Sequence, residues 1–280
     1  MTNSLATNPD EAKRERRLSF DRNANGYAEG RPPYPERVYA FMEEIGALGP
    51  GKRILEIGPG TGQATVELLA RGATVDAIEL GANLAAQLRT RLPDERLTVT
   101  VGDIHTVALP EAAYDTVVAA TMLHWLDVPR LLPRIAATLR PGGWLVVWWT
   151  VFGDPDGKTP FRARVDRIYR ERMPHEWRPL DEVPRAMQVS ERIAELTEGG
   201  YFTEPVHELI RWSARLDRDG VRALFATFPN VAELEPATRA AHLDALGDAV
   251  DAEGGVIDDP YVTAVYAVRK DERGHENDQQ

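Results

Sequence analysis

The sequence predicts an α/β fold with a mostly parallel sheet and helices on both faces, and three observations carry that prediction. Short runs rich in Val, Ile and Leu alternate with single amphipathic helical stretches between Arg53 and Thr150, the pattern of βα units. A glycine-rich turn, Gly58 to Gly62, separates the first of these runs from its helix. The 280 residues are 43% hydrophobic and 28% charged, an ordinary globular composition that suits one enlarged domain or a domain with a small cap.

Taken in order, residues 1–18 are polar and aperiodic and read as a disordered tail. From residue 19 an arm carries Phe20, Tyr27, Tyr34 and the pair Pro32 and Pro33, which favour an extended path before a helix over Glu36 to Gly46. RILEIG is a buried strand, and QATVELLARG has helical spacing ending on Gly72. The unit repeats as TVDAIEL with ANLAAQLRTRL, RLTVTVGD with a loop, YDTVVAATML with VPRLLPRIAATLR, and then GGWLVVWWTV. The arm and these units form a cofactor-binding core over 19–150. The rhythm breaks after Thr150, so 151–200 reads as a helical cap insertion with a return helix. HELIRWSARL marks a core strand over 201–216, and 217–255 is a second helical insertion. YVTAVYAVR alternates strongly and places the last core strand in 256–270, with DDPY at Asp258 to Tyr261 read as part of a preceding turn. Residues 271–280 read as another disordered tail.

The formal net charge of −11 repels phosphate backbones and anionic membrane surfaces. No Lys/Arg block interleaved with aromatics offsets it, so neither nucleic acid nor membrane is an expected partner. Cysteine is absent, which removes disulfides and thiolate chemistry. The six histidines are scattered without paired ligand spacing, so no metal is expected. The opening residues lack an apolar signal core, and cytoplasmic localisation is the expectation.

The chemistry concentrates in LEIGPGTGQ, Leu55 to Gln63. Glycines at 58, 60 and 62 allow a tight turn and a close approach of backbone to ligand, and the helix that follows offers unpaired N–H groups. Glu79 closes the second strand, 21 residues after Gly58 (58 to 79), where a carboxylate can accept both hydroxyls of a ribose. A dinucleotide fingerprint is G-x-G-x-x-G, whereas this loop is G-x-G-x-G preceded by Glu56. An acid sits badly beside a pyrophosphate and well beside an ammonium.

On these residues the chain resembles the class I S-adenosylmethionine-dependent methyltransferases, of the small-molecule type. The resemblance implies a Rossmann-like, doubly wound, seven-stranded sheet with an antiparallel last strand, with the helical insertions as caps. It implies that Glu56, Gly58, Pro59, Gly60, Gly62 and Gln63 hold the methionyl end of the cofactor, that Glu79 with Leu80 holds the ribose, and that Gly102, Asp103 and Ile104 lie by the adenine. Leu139, Arg140, Pro141, Gly142 and Gly143 match the family's turn before strand five. The cofactor would be S-adenosyl-L-methionine and the product S-adenosyl-L-homocysteine.

Ligands of such sheets bind beyond the carboxyl ends of the strands, which points to Ala119, Ala120, Thr121, Met122, Leu123, His124 and Trp125 after the fourth strand. Ala119, Ala120 and Trp125 are candidate cofactor contacts. His124 is a candidate general base for an O, N or C acceptor, with a loop-ordering histidine as the alternative. Tyr27 and Arg31 of the arm are candidates for the methionyl end, Arg31 through its charge. Phe152, Phe161, Tyr169, Trp177, Phe225 and Phe228 lie in the two insertions, divided between core and a lid over a small acceptor. A non-catalytic S-adenosylmethionine binder and a nicotinamide-dependent oxidoreductase are the rival readings. The oligomeric state is left open between monomer and homodimer.

Overall fold

The computed structural model describes residue 21, residues 30–179 and residues 182–271. Tyr27 and most of both tails lie outside the described residues. Strands β1 (Arg53–Ile57), β2 (Thr74–Glu79), β3 (Leu97–Val101), β4 (Tyr114–Ala120), β5 (Leu139–Phe152), β6 (Phe202–Asp217) and β7 (Val256–Lys270) make one sheet in the order β3-β2-β1-β4-β5-β7-β6. Pairings among β1 to β5 are parallel, and β7 is antiparallel to both β5 and β6. The doubly wound sheet with an antiparallel last strand is therefore present.

Helices α1 (Glu36–Glu44), α2 (Thr65–Ala70), α3 (Ala82–Arg91) and α4 (Val128–Thr138) accompany the parallel half. Later come α5 (Pro160–Arg172), α6 (Val189–Thr197), α7 (Arg218–Ala226), α8 (Pro229–Ala232) and α9 (Pro236–Asp251). Side chains alternate across each strand, so the sheet has two apolar layers. Leu55, Ile57, Val117, Leu145 and Val147 join Leu131 and Ile135 of α4 on one face. Ile54, Val75, Val118, Val146 and Trp148 join Phe41 of α1 and Leu68 of α2 on the other. A third cluster, with Phe161, Val221, Leu224, Phe225, Leu246 and Tyr261, binds α5, α7 and α9 to the end of β7.

Three boundaries differ from the sequence reading. Helix α4 stops at Thr138 and β5 already begins at Leu139, because Pro141 pushes Arg140 out of helical backbone. Asp258 to Tyr261, expected as a turn, lies within β7 and pairs with Trp212 to Arg215 of β6. Pro260 is tolerated there because the regular β5 pairing ends at Phe152 and Tyr261, and beyond it the contact on that side uses the Pro260 carbonyl, which accepts the Asp154 N–H at 2.8 Å, and not the missing N–H. Asp259 is held in the strand by Arg162, whose Nε and Nη2 donate to its two carboxylate oxygens at 2.7 and 2.5 Å. Strand β6 starts at Phe202 and carries a register shift between Thr203 and Val206, a bulge that absorbs Pro205.

Candidate functional site

The carboxyl ends of β1, β2 and β4 open onto a cleft of about 760 Å³ counting its mouth. The loop after β1 forms its floor. Gly58 has φ +65°, and a Cβ there would stand 2.7 Å from Met122 Cε. Gly60 has φ +57° with open space where its Cβ would be, so a side chain at that position would project into free volume that a ligand can use.

Two buried carboxyl groups meet at this loop. Glu56, 1% exposed, accepts a hydrogen bond from Thr65 Oγ1 at 2.7 Å through Oε2, while Oε1 has no partner among the described residues. Burial pushes its carboxyl up to about 7, against the Thr65 bond and with help from the charge of Glu79. Glu79, 7% exposed, accepts the backbone N–H of Gly60 at 3.0 Å and of Gly81 at 2.9 Å, one on each oxygen. Burial raises it as well, opposed by these backbone donors and that of Leu80. Beside these three backbone donors the carboxylate keeps acceptor capacity for a further donor.

Of the residues expected at the cofactor, Glu56, Gly58, Pro59, Gly60, Gln63, Glu79, Leu80, Ala120 and Trp125 line the cleft. Gly62 supports it from behind, since a Cβ there would meet Leu88 of α3 at 2.5 Å. Ala119 faces the opposite layer and is fully buried in the core. Gly102, Asp103 and Ile104 stand outside the lining. The Gly102 N–H extends the β2 ladder to the Glu79 carbonyl at 2.9 Å, Asp103 accepts the His105 N–H at 3.0 Å, and Ile104 is core. Arg31 points away from the cleft. Its Nε donates to Thr227 Oγ1 at 3.1 Å, and its guanidinium packs 5.2 Å from the Phe152 ring centre and 5.8 Å from that of Phe228. Its carbonyl accepts from Gln63 Nε2 at 3.0 Å, so the arm joins the cleft wall to the cap.

Sequence reasoning missed Tyr34, Thr61, Ala64 and Leu84 in the lining, and placed Thr121 and Met122 only in the segment after β4, without a contact role. The hydroxyls of Tyr34 and Thr121 lie 3.1 Å apart, and the Tyr34 ring stands edge-on to Trp148 at 5.5 Å. Thr121 has φ +54°, a left-handed conformation that costs a non-glycine residue about 1–3 kcal/mol and concentrates at functional sites. The Tyr in the arm and the polar residue ending β4 were the available signals. Asp21 is another omission: its carboxylate accepts the Leu84 N–H at 2.9 Å at the start of α3.

His124 lies beyond β4 in the short turn Leu123–Trp125. Its Nδ1 accepts the indole N–H of Trp149 at 2.9 Å. With that nitrogen occupied as an acceptor, the neutral ring carries its hydrogen on Nε2. Although the residue keeps exposed surface, crowding by protein lowers its proton affinity to about 4, with the charges of Arg31, Arg185 and Arg192 acting in the same direction. The expected base is therefore arranged as a hydrogen-bond donor.

The aromatics of the insertions divide. Phe161 and Phe225 are buried. Phe152, Tyr169, Trp177 and Phe228 border a second cavity of about 540 Å³ counting its mouth, together with Phe225, Arg162 and Asp166.

The strand order, the glycine loop and the acid at the end of β2 define the class I S-adenosylmethionine-dependent methyltransferase fold. The cofactor of that class is S-adenosylmethionine, and the cleft fits it on three counts: an orphaned buried carboxylate oxygen, a glycine cradle that a Cβ would fill, and an acid with lone pairs for a diol. Residues 55–147 match the family described as methyltransferase domain. An uncharacterised methyltransferase of Mycobacterium bovis is 33% identical over 138 residues, 49% of this chain and 54% of the relative. The match thus spans about half the length of that relative. Among solved structures, a proposed type II methyltransferase from Anaeromyxobacter dehalogenans superposes with a TM-score of 0.63 at 24% identity, covering 85% of this chain and 97% of that one. A phosphoethanolamine N-methyltransferase of Haemonchus contortus, in complex with phosphomonomethylethanolamine and S-adenosylhomocysteine, reaches 0.55 at 18%, covering 92% and 59%. No helix among the described residues is long and apolar enough to cross a membrane.

Proposed function

We propose that this chain transfers the methyl group of S-adenosylmethionine to an O, N or C atom of a small-molecule acceptor. The observation that carries the reading is the cleft's charge: Glu56 and Glu79 line it, and no Lys or Arg is among the described residues of the lining. Such a lining suits a ligand that brings positive charge and a diol, and it repels the pyrophosphate of a nicotinamide dinucleotide.

Bound there, S-adenosylmethionine supplies an electrophilic methyl on a sulfonium and leaves as S-adenosylhomocysteine. The chain's own residues bind, orient and exclude water. Glu56 would hold the ammonium and Glu79 the ribose hydroxyls, while Gly58 and Gly60 would let the backbone come close. Trp125 and Met122 supply apolar wall. His124 donates through Nε2 to an acceptor atom and holds it in line, a role in which alignment replaces base catalysis. The acceptor enters on the side of Phe152, Trp177 and Phe228, where the cavity is aromatic. Gly102 to Ile104 and Arg31 retain indirect roles, in shaping the sheet edge and in tying the arm to the cap. The acidic chain, without an apolar spanning helix among the described residues, works on such an acceptor in the cytoplasm.

Mass spectrometry tests the reading. Purified protein, S-adenosylmethionine and fractionated small-molecule extract should yield S-adenosylhomocysteine together with a product one methylene heavier than its precursor. Tight S-adenosylhomocysteine binding with no such product across extracts would leave a binding protein in place of an enzyme. Preference for a nicotinamide dinucleotide would overturn the reading altogether.

A further inference from the structure

Resting on the cofactor reading above, we propose that uptake of the methionyl end drives one proton out of Glu56, so that the cleft exchanges a proton for the cofactor's ammonium and binds it more tightly as the solution becomes less acidic.

The geometry makes Glu56 the natural place for this exchange. It sits on β1 with its carboxyl enclosed between β2, β4 and α2, almost without contact with water. A single neutral donor, the Thr65 hydroxyl, reaches it, and Oε1 is left without a partner among the described residues while the side chain lines the cleft. One hydroxyl is a poor substitute for water around a full negative charge, so the enclosed carboxyl favours its protonated form.

Of the groups around it, Glu79 pushes the same way. Glu79 faces it from β2 and adds negative charge. From α1 the Tyr39 phenol lies near enough to feel the charge of Glu56, and its hydroxyl has no partner among the described residues. Among the described residues, no basic side chain lines the cleft to stabilise the anion in advance. The neutral carboxyl loses a proton to buffer, the ammonium of the ligand takes its place as the compensating charge, and no other bond changes. With the free carboxyl titrating at about 7, the exchange is nearly complete in mildly acid solution and fades in mildly alkaline solution.

Isothermal titration with S-adenosylhomocysteine, in pairs of buffers that differ in ionisation enthalpy, counts the protons released. Near one proton should leave at about pH 6 and few at about pH 8, while affinity climbs by up to roughly tenfold per pH unit below neutrality. Methylthioadenosine, which lacks the amino-acid portion, should release none and bind independently of pH. E56Q should abolish the release, whereas E79Q should keep it. Should E56Q fail to fold, the contrast between the two ligands on the native chain still decides the matter. Binding of S-adenosylhomocysteine without proton release overturns the coupling alone, and a release that survives E56Q but vanishes in E79Q moves the proton to the other acid and overturns it equally. Failure of S-adenosylhomocysteine to bind at any pH overturns the cofactor reading beneath it.

Discussion

The two halves of this sheet are specialised by different physics. Around β1, β2 and β4 the cleft is made by backbone: left-handed glycines, N–H groups on Glu79, and two buried acids with no basic residue among the described residues of the lining. Around β5, β7 and the helical insertions the space is made by side chains, with aromatic rings stacked about Arg31 and a buried Arg162–Asp259 pair anchoring α5 to β7. A backbone-built site admits little variation because its shape is that of the chain itself. A side-chain-built site can be resized by substitution without altering the fold, which suits the half proposed to meet the acceptor.

Breaking the Arg162–Asp259 pair probes the cap half most severely. Arg162 and Asp259 are both buried, so D259N or R162M should cost about 3–5 kcal/mol of unfolding free energy, and the paired change R162M with D259L should recover most of it. Urea unfolding of the three variants checks this, and additive losses in the double variant would mean that the pair is not a unit. On the cofactor half, G58V forces a branched side chain into φ +65° against Met122. About 3 kcal/mol, or roughly a hundredfold in S-adenosylhomocysteine affinity, should be lost by titration calorimetry. A change below about threefold would show that the loop yields more readily than its backbone implies.

Smaller effects sharpen the boundary between the halves. Y34F removes the contact with Thr121 and should weaken cofactor binding by about 1 kcal/mol, with little effect on stability by thermal melting. The pH dependence of stability should carry a histidine signature. His124 and His242 both hold protons less readily in the fold, mainly through burial, and both ring nitrogens of His242 lack partners among the described residues. Folded affinities depressed below the ordinary value of about 6.5 mean that the unfolded chain binds more protons there. Their contribution is therefore intact above about pH 6.5 and is lost as pH falls toward about 4. H242L should flatten part of that slope in denaturant titrations, and an unchanged slope would place the titration elsewhere.

Much of the cofactor half was legible because its determinants are local. A glycine after a strand reports a backbone bend, and an acid closing the next strand reports a side chain at the same sheet edge, as Gly58 and Glu79 do. The adenine-side expectation for Gly102 to Ile104 was less secure, since a short segment does not reveal which way its side chains turn. Tyr34 and Thr121 are 87 positions apart, and Arg162 and Asp259 are 97 apart. Nothing in either neighbourhood announces such a partner. Asp258 to Tyr261 has the composition of a turn, yet pairing with β6 and the charge of Arg162 keep it extended.

What the chain's text determined unaided is the α/β alternation, the glycine bend after β1 and the acids beside it, because those follow from conformational preference and strand periodicity over a few residues. The protonation form of His124, the aim of Arg31 and the enclosure of Glu56 were decided only when distant segments packed. Trp149 chooses the imidazole tautomer, Thr227 and two phenylalanines hold the guanidinium, and the surrounding strands exclude the water that would otherwise keep the carboxyl charged.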